Sequence, residues 1–401
     1  MKKTLKNRKK LYALGFIVLI SLFILVFPKG RLFFASAEGQ TSGVENELNE
    51  SIKEQIERLD LEELQNYLNG LEGLNDATVA ERLIAYIGGE EIDYAGFGKQ
   101  IVSVLFSKVR DILPAFACIA AITLLSGLIN ALKSGINGHT SAEMIFLIAY
   151  GAALIPLLAV LTECIGACVQ CVSSLQKQMQ LIFPLMLTLM AASGSTLSVS
   201  VCRPAVGFFC TTIVSVIHKV VFPITITVIL FSLAANLTKE LKIGKFTAFF
   251  KSINKWIIGI CVSVFGIFFT LQGITAATHD GVVRRATKYA IGNGIPIIGG
   301  FLSGGFDLAV AGSVLIKNSL GTMGVFLMIA ILFEPIVLLI SINLLLRLTA
   351  AITQPFGDSR LSDFLAETAD NLHYCTAGLL MTAFMYFLSI MLMVYSTEAL
   401  F

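Results

Sequence analysis

Charged residues are scarce in this chain: of 401 residues only 14% are Asp, Glu, Lys or Arg, while 56% are hydrophobic. A soluble domain carries about a quarter charged residues. Too little polar surface exists here to face water on all sides, which excludes an ordinary soluble protein of two or three domains, and the mean hydropathy of +0.81 points to an integral membrane protein. No region concentrates basic charge on one folded face, which excludes a nucleic-acid binder. Catalytic signatures are missing as well. Gly244-Lys245-Phe246-Thr247 places Phe where a phosphate-binding loop needs a hydroxyl, and it lacks the upstream glycine. With no nucleotide site of its own, any active transport by this chain calls for an energy-coupling partner. There is no H-E-x-x-H and no G-x-S-x-G; Gly292-Asn293-Gly294 begins a dinucleotide-like pattern that Pro296-Ile297 spoils. The four histidines, His139, His218, His279 and His373, are scattered through loops and segment ends. The sequence therefore predicts no enzyme, no cofactor and no metal site.

Cysteine is absent where an oxidising compartment would use it. None of the eight cysteines falls in residues 38–98, so that segment has no disulfide framework. Cys164, Cys168 and Cys171 share a helical face at i, i+4, i+7. A metal would need further His or carboxylate ligands and only Glu163 is near, so close packing of small residues is the simpler reading.

What is present is strongly asymmetric. The net charge of +2 hides a segment from Glu38 to Asp93 with 15 of the 27 acidic residues against Lys53, Arg58 and Arg82. Upstream, Lys2, Lys3, Lys6, Arg8, Lys9 and Lys10 precede the apolar run Leu11–Phe27, and Ala35-Ser36-Ala37 offers a cleavage site. Residues 1–37 thus read as an export signal, with an uncleaved anchor as the alternative. Either way the cations stay in the cytoplasm and residues 38–98 lie outside it. Within them Leu48, Ile52, Ile56, Leu59, Leu64, Leu68 and Leu71 recur at mostly 3- and 4-residue steps between charges, the pattern of an amphipathic helix. It is broken near Gly70–Gly73, and a shorter helix follows at 78–87. This stripe is expected to pack on the membrane part or to bind a partner; the alternative is a solvated spacer.

Residues 99–401 read as an all-α polytopic membrane domain. Gln100–Arg110 is amphipathic. Spanning segments are expected at 112–132, 142–162, 181–201, 256–278, 320–346 and 375–396, each about 20 residues to match roughly 30 Å of hydrocarbon. Glu163–Gln180 reads as amphipathic rather than spanning. Residues 205–237 are too long for one crossing and read as two short helices or a bent pair, broken around His218-Lys219 and Pro223. Residues 291–316 are apolar but hold Pro296 and seven glycines, among them Gly299, Gly300, Gly304 and Gly305, and are expected to be broken rather than a stiff helix, facing protein or water. The total is about seven spanning elements. Lys239, Lys242, Lys245, Lys251 and Lys255 mark a cytoplasmic loop, whereas Arg284, Arg285 and Lys288 would fall outside if every segment crossed once.

The two small-residue interruptions, 186–204 and 291–316, point either to a substrate path or to close helix approach. Glu334, beside Pro335 in the middle of 320–346, is a carboxylate where hydrocarbon is expected, so it is paired, protonated or lining a polar cavity. Lys317, Arg347 and His218 are its candidate partners. Asp307 has the same two readings, structural or conduit-lining. Arg203 and Lys219 read as anchors at the interface.

Several of these elements carry a resemblance. The order signal, acidic helix with Leu59-Asp60-Leu61-Glu62-Glu63-Leu64, then the run Phe183–Ser195, and the stretch from Asp280-Gly281-Val282 through Lys288, Pro296, Gly299 and Asp307 to Lys317-Asn318, resembles the stage III sporulation protein AE family. The resemblance implies a mother-cell membrane protein facing the forespore. It implies assembly with the other stage III A-operon products, including a secretion-type ATPase and ring-forming proteins, and through them contact with the forespore stage II Q protein. It implies a channel or secretion-like apparatus, and brings no catalytic residues. On that reading Gly299, Gly300, Gly304, Gly305, Asp307 and Glu334 are candidate lining or gate, and Leu48, Ile52, Ile56, Leu59, Leu64 and Leu68 a candidate partner-binding helix. The rival expectations are an autonomous secondary transporter coupling through Glu334, and a scaffold with no conduit.

Overall fold

A computed structural model describes residues 42–59, 61–69, 78–87, 94–133, 139–193, 199–200, 207, 211–237, 243–294, 299–355 and 359–398. The signal at 1–37 and the breaks at 70–73 and 88–89 lie outside them. Among the described residues every regular element is a helix. Three short helices come first: α1 (Ser42–Glu57), α2 (Glu62–Asn69) and α3 (Val79–Ile87). Six longer helical stretches follow, namely α4 (Tyr94–Lys133), α5 (His139–Ala192), α6 (Phe222–Leu237, continuous with a helical lead-in from residue 211), α7 (Gly244–Gly294), α8 (Gly299–Thr353) and α9 (Ser359–Glu398). All six contain a stretch long and apolar enough to cross a membrane.

One expected break is not there: the segments 142–162, 163–180 and 181–192 form one helix, α5. Within 291–316, α7 ends at Gly294 and α8 begins at Gly299, with Pro296 outside the described residues, and from Gly299 onward α8 is a single helix. Among the described residues six helices are candidate spans. The glycines of α8 do not interrupt it, because their backbone hydrogen bonds stay within the helix and their missing side chains let neighbours approach. A Cβ at Gly321 would meet Val394 at 2.8 Å, and one at Gly324 would meet Ile390 at 3.0 Å and Ile182 at 3.1 Å. Small residues are here contact points between helices. Gln100–Arg110 likewise continues into α4 rather than standing apart.

The expected break at 205–237 takes a third form. Ile217–Val221, which contains His218 and Lys219, is a π-turn: the Phe222 N–H reaches Ile217 O, five residues back, and helix continues through Pro223. A π-bulge absorbs the missing proline N–H without ending the helix. The Val221 carbonyl accepts from Thr225 Oγ1 at 2.8 Å and from Asn254 Nδ2 of α7 at 3.4 Å.

Interhelical hydrogen bonds set the directions. α8 packs against α9, α5, α4, α1, α7 and α3. It runs antiparallel to α9, with Lys317 Nζ donating to Val394 O at 2.7 Å near one end and Asn343 Nδ2 to Ala369 O at 2.6 Å near the other. It runs antiparallel to α5 through Gln178 Nε2 on Gly324 O at 2.9 Å and Cys171 Sγ on Ile331 O at 3.6 Å. α6 is antiparallel to α9 through Asn371 and Ser232, and α7 to α6 through Asn254 and Thr225. The bundle therefore has two distinct ends. At one lie Lys251 beside Glu367 (3.8 Å) and Arg347 on Asp370 (2.6 Å). At the other, α1 rests on the first turns of α8.

Candidate conduit surfaces and the acidic cap

The acidic segment is folded onto the bundle. Ile52, Ile56 and Leu64 are buried, with Leu48 and Leu59 packed against the same core; the side chain of Leu68 lies outside the described residues. The stripe is thus covered by the chain's own helices. α1 and α3 lie against α8, and α2 against α5. Gln55 fixes the register of α1: its Nε2 donates to Ala309 O at 3.1 Å, its Oε1 accepts from Ser313 Oγ at 2.7 Å, and its amide occupies the space a side chain at Gly312 would fill. What α1 and α2 turn outward is charge: Lys53, Glu54, Glu57, Glu62 and Glu63 are exposed.

α3 begins with a capping box that the sequence shows as Thr78-x-x-Glu81. The Thr78 N–H and hydroxyl donate to Glu81 Oε2 at 2.7 and 2.9 Å, and the Glu81 N–H returns to Thr78 Oγ1 at 3.2 Å. These two donors, the backbone N–H first, hold the Glu81 carboxyl below the usual carboxylate range.

The candidate gate residues do not converge. Gly299, Gly300, Gly304 and Gly305 open α8, and what surrounds them lies outside the described residues. Asp307 is half-buried near α1's docking site, and Glu334 is exposed. Twenty-seven residues of helix put Asp307 and Glu334 about 40 Å apart. Of the partners proposed for Glu334, Lys317 is wholly buried about 25 Å along the same helix with its ammonium on Val394 O. Arg347 is held by Asn343 and Asp370. Glu334 is also not at the middle of α8's outward apolar surface. Among the described residues the exposed large apolar side chains of α8 are Ile340, Leu344, Leu348 and Ile352, so Glu334 precedes the first of these by about 9 Å. Sequence could not reveal this, because core-facing and lipid-facing apolar residues look alike.

The cysteine face acquires a member from another helix. Cys164, Cys168 and Cys171 are buried in α5, and Cys168 is in side-chain hydrogen-bonding contact with both Cys164 and Cys375 of α9. Among the described residues no group of His, Cys, Asp and Glu is arranged to hold a metal, and the thiols act as small packing groups where α5 meets α9.

The outward flank of α5 was not singled out by sequence. Beyond Ala159 the exposed residues are Thr162, Glu163, Gly166, Gln170, Lys177, Gln180, Pro184, Thr188, Ala191 and Ala192, with no large apolar side chain among them. A cavity of about 510 Å³ opens there between Gln176, Gln180, Phe183 and Thr188 of α5 and Val199, Gly207 and Thr211 across from it. The signal available in the sequence was the amphipathic character of 163–180, which survives inside a continuous helix as this polar flank.

The family model described as Stage III sporulation protein AE matches residues 78–397. The chain is 25% identical over 292 residues, covering 73% of each chain, to a protein of Bacillus subtilis (strain 168) named Stage III sporulation protein AE. No solved structure matches it. With six apolar helices and a family match over most of its length, the chain belongs to the stage III sporulation protein AE family and is a multi-pass membrane protein of sporulation.

Proposed function

We propose that this chain is a non-catalytic membrane subunit of a channel or secretion-like complex linking mother cell and forespore, resident in the mother-cell membrane. The observation that carries this reading is the acidic cap. α1–α3 bury their apolar side on α5 and α8 and turn carboxylates outward, at the bundle end remote from Lys251 and Arg347. Positive charge retained in the cytoplasm puts this cap on the far side of the membrane, where it offers a charged surface, already folded, to a partner. The partner-binding role then belongs to Glu54, Glu57, Glu62 and Glu63 rather than to the apolar stripe beneath them. A chain without a nucleotide site, in a family named for a stage III A gene product, fits a subunit that draws energy from a secretion-type ATPase. Ring-forming proteins would extend the conduit toward the forespore stage II Q protein. In this reading Gly299, Gly300, Gly304, Gly305 and Asp307 form a gate under the cap, with Glu334 acting separately.

The test is photo-crosslinking in sporulating cells from probes at Glu54, Glu57 and Glu62, with capture of this chain and identification of adducts by mass spectrometry. Adducts to ring-forming proteins, and co-capture of an ATPase, are expected. Capture of the chain alone or as a homo-oligomer, with undiminished sporulation, would overturn the reading in favour of an autonomous transporter.

A further inference from the structure

One face of α5 changes solvent partway along the helix. The residues Ile148, Ile155, Ala159, Gly166, Gln170, Lys177, Pro184 and Thr188 follow one another at steps of 7 and 4, so they share a single direction on an α-helix of 3.6 residues per turn. All are exposed. On the first part of this face Met144, Ile148 and Ile155 stand out at 58%, 70% and 74% exposure, the chemistry of contact with hydrocarbon. From Thr162 onward the same face shows Glu163, Gln170, Lys177, Gln180 and Thr188, interrupted only by small residues and Pro184. A carboxylate, an ammonium and two amides pointed at lipid tails would each be costly, and the helix has no reason to prefer that arrangement when its opposite side is fully packed by Cys168, Val172, Leu175, Met179 and Ile182.

α8 switches at a corresponding level, since Cys171 of α5 lies opposite Ile331 in the antiparallel pair and Thr162 therefore lies near Ile340. Among the described residues the exposed large apolar side chains of α8 run from Ile340 to Ile352, and those of α4 from Phe106 to Ile129, the longer stretch about one bilayer's thickness. On the side formed by α7, which packs on α6, α8 and α9, exposed apolar side chains continue to Ile267. The bundle is thus two-sided, with its polar side on α5.

We infer that α5 leaves lipid between Ile155 and Thr162, and that its remaining length of about 45 Å is one wall of a water-filled vestibule. A cavity beside that wall is lined by Gln176, Gln180, Thr188 and Thr211 together with the apolar Met179, Phe183, Leu187 and Val199. Because Glu163 and Lys177 carry opposite charges among neutral amides and hydroxyls, the wall takes water and small hydrophilic solutes of either sign. The inference is independent of the complex proposed above, since an autonomous permease would use such a wall equally well.

Single cysteines at Gln170, Lys177 and Thr188, and at Ile148 and Ile155 as lipid-side references, test it in the purified full chain. The chain is reconstituted at low density in phosphatidylcholine–phosphatidylglycerol vesicles. A charged, membrane-impermeant maleimide is admitted to both faces by freeze–thaw, and the labelling rate of the unsubstituted chain, whose Cys118 is exposed, is subtracted. The distal positions should react at least about tenfold faster than Ile148→Cys and Ile155→Cys, and detergent should abolish the difference by accelerating only the references. Distal rates as slow as Ile155→Cys until detergent is added would overturn the inference. A position that fails to reconstitute is replaced by Gly166→Cys or Gln180→Cys on the same flank, which must follow the same ordering.

Discussion

α5 and α8 are near twins in sequence terms and opposites in the folded chain. They have 54 and 55 residues, with apolar stretches of 46 and 47 residues at mean hydropathies of 2.1 and 2.8. α8 turns its apolarity inward: from Asp307 to Phe333 every residue is buried or half-buried, and even Lys317 and Ser313 are buried there. α5 buries one stripe and leaves a whole flank outside, apolar before Ala159 and polar after it. Equal hydropathy therefore carries two meanings, solvation by lipid and solvation by neighbouring helices. Only the polarity of exposed positions separates them.

Glycine substitution breaks the comparison most sharply. Gly324 of α8 is in contact range of Ile390, Ile182 and Tyr386, whereas a side chain at Gly166 of α5 would meet nothing within 4 Å. Gly324→Leu should cost about 3 kcal/mol through overpacking, seen as loss of the monodisperse peak and a lowered melting temperature in detergent. Gly166→Leu should leave both unchanged or slightly raised, because the helix gains propensity of about 1 kcal/mol at an open site. Equal damage from the two would mean that α5's flank is packed.

The cap offers a smaller effect. Gln55→Ala removes hydrogen bonds to Ala309 and Ser313 and should weaken α1's hold on α8 by about 1–2 kcal/mol, read as faster proteolysis at 42–59 with the bundle intact. Unchanged proteolysis would show that Ile52 and Ile56 suffice. Smallest is the capping box. Glu81's folded carboxyl has a lowered pKa, so its stabilisation of α3 is present above the unfolded value and is lost as pH falls through the folded one. Amide protection factors in α3, corrected for the intrinsic pH dependence of exchange, should fall on acidification below about pH 4.5, and Glu81→Gln should remove that pH dependence.

How much of this was legible beforehand follows from the same physics. Helical class, the acidic segment with its apolar stripe, the end of α5 at Ser193 and the disturbance at His218–Pro223 all leave local signals: periodicity, a small polar run, a proline. The continuity of α5 and α8 does not: in α8 neighbours close around Gly321 and Gly324, and in α5 the amphipathic 163–180 continues the helix with its polar side outward. Asp307 and Glu334 lie on one helix 27 residues apart, a separation along the axis that sequence spacing alone does not reveal when the helix boundaries are unknown. Cys375 joined the cysteine face only through the tertiary contact of α9 with α5. The polar flank was visible as amphipathic sequence, but its register with Ile148 and Ile155 requires knowing that no break intervenes.

The account's central claim is that one unbroken helix passes from lipid into water. Spin labels placed singly from 144 to 188 along α5's outward face, in reconstituted vesicles, would test it by collision rates with oxygen and with a water-soluble nickel chelate. Oxygen should dominate at 144, 148 and 155, and the chelate at 163, 170, 177 and 188, with mobility typical of a helix surface throughout. Oxygen dominance along the whole series would contradict it, placing α5's charged flank in the bilayer.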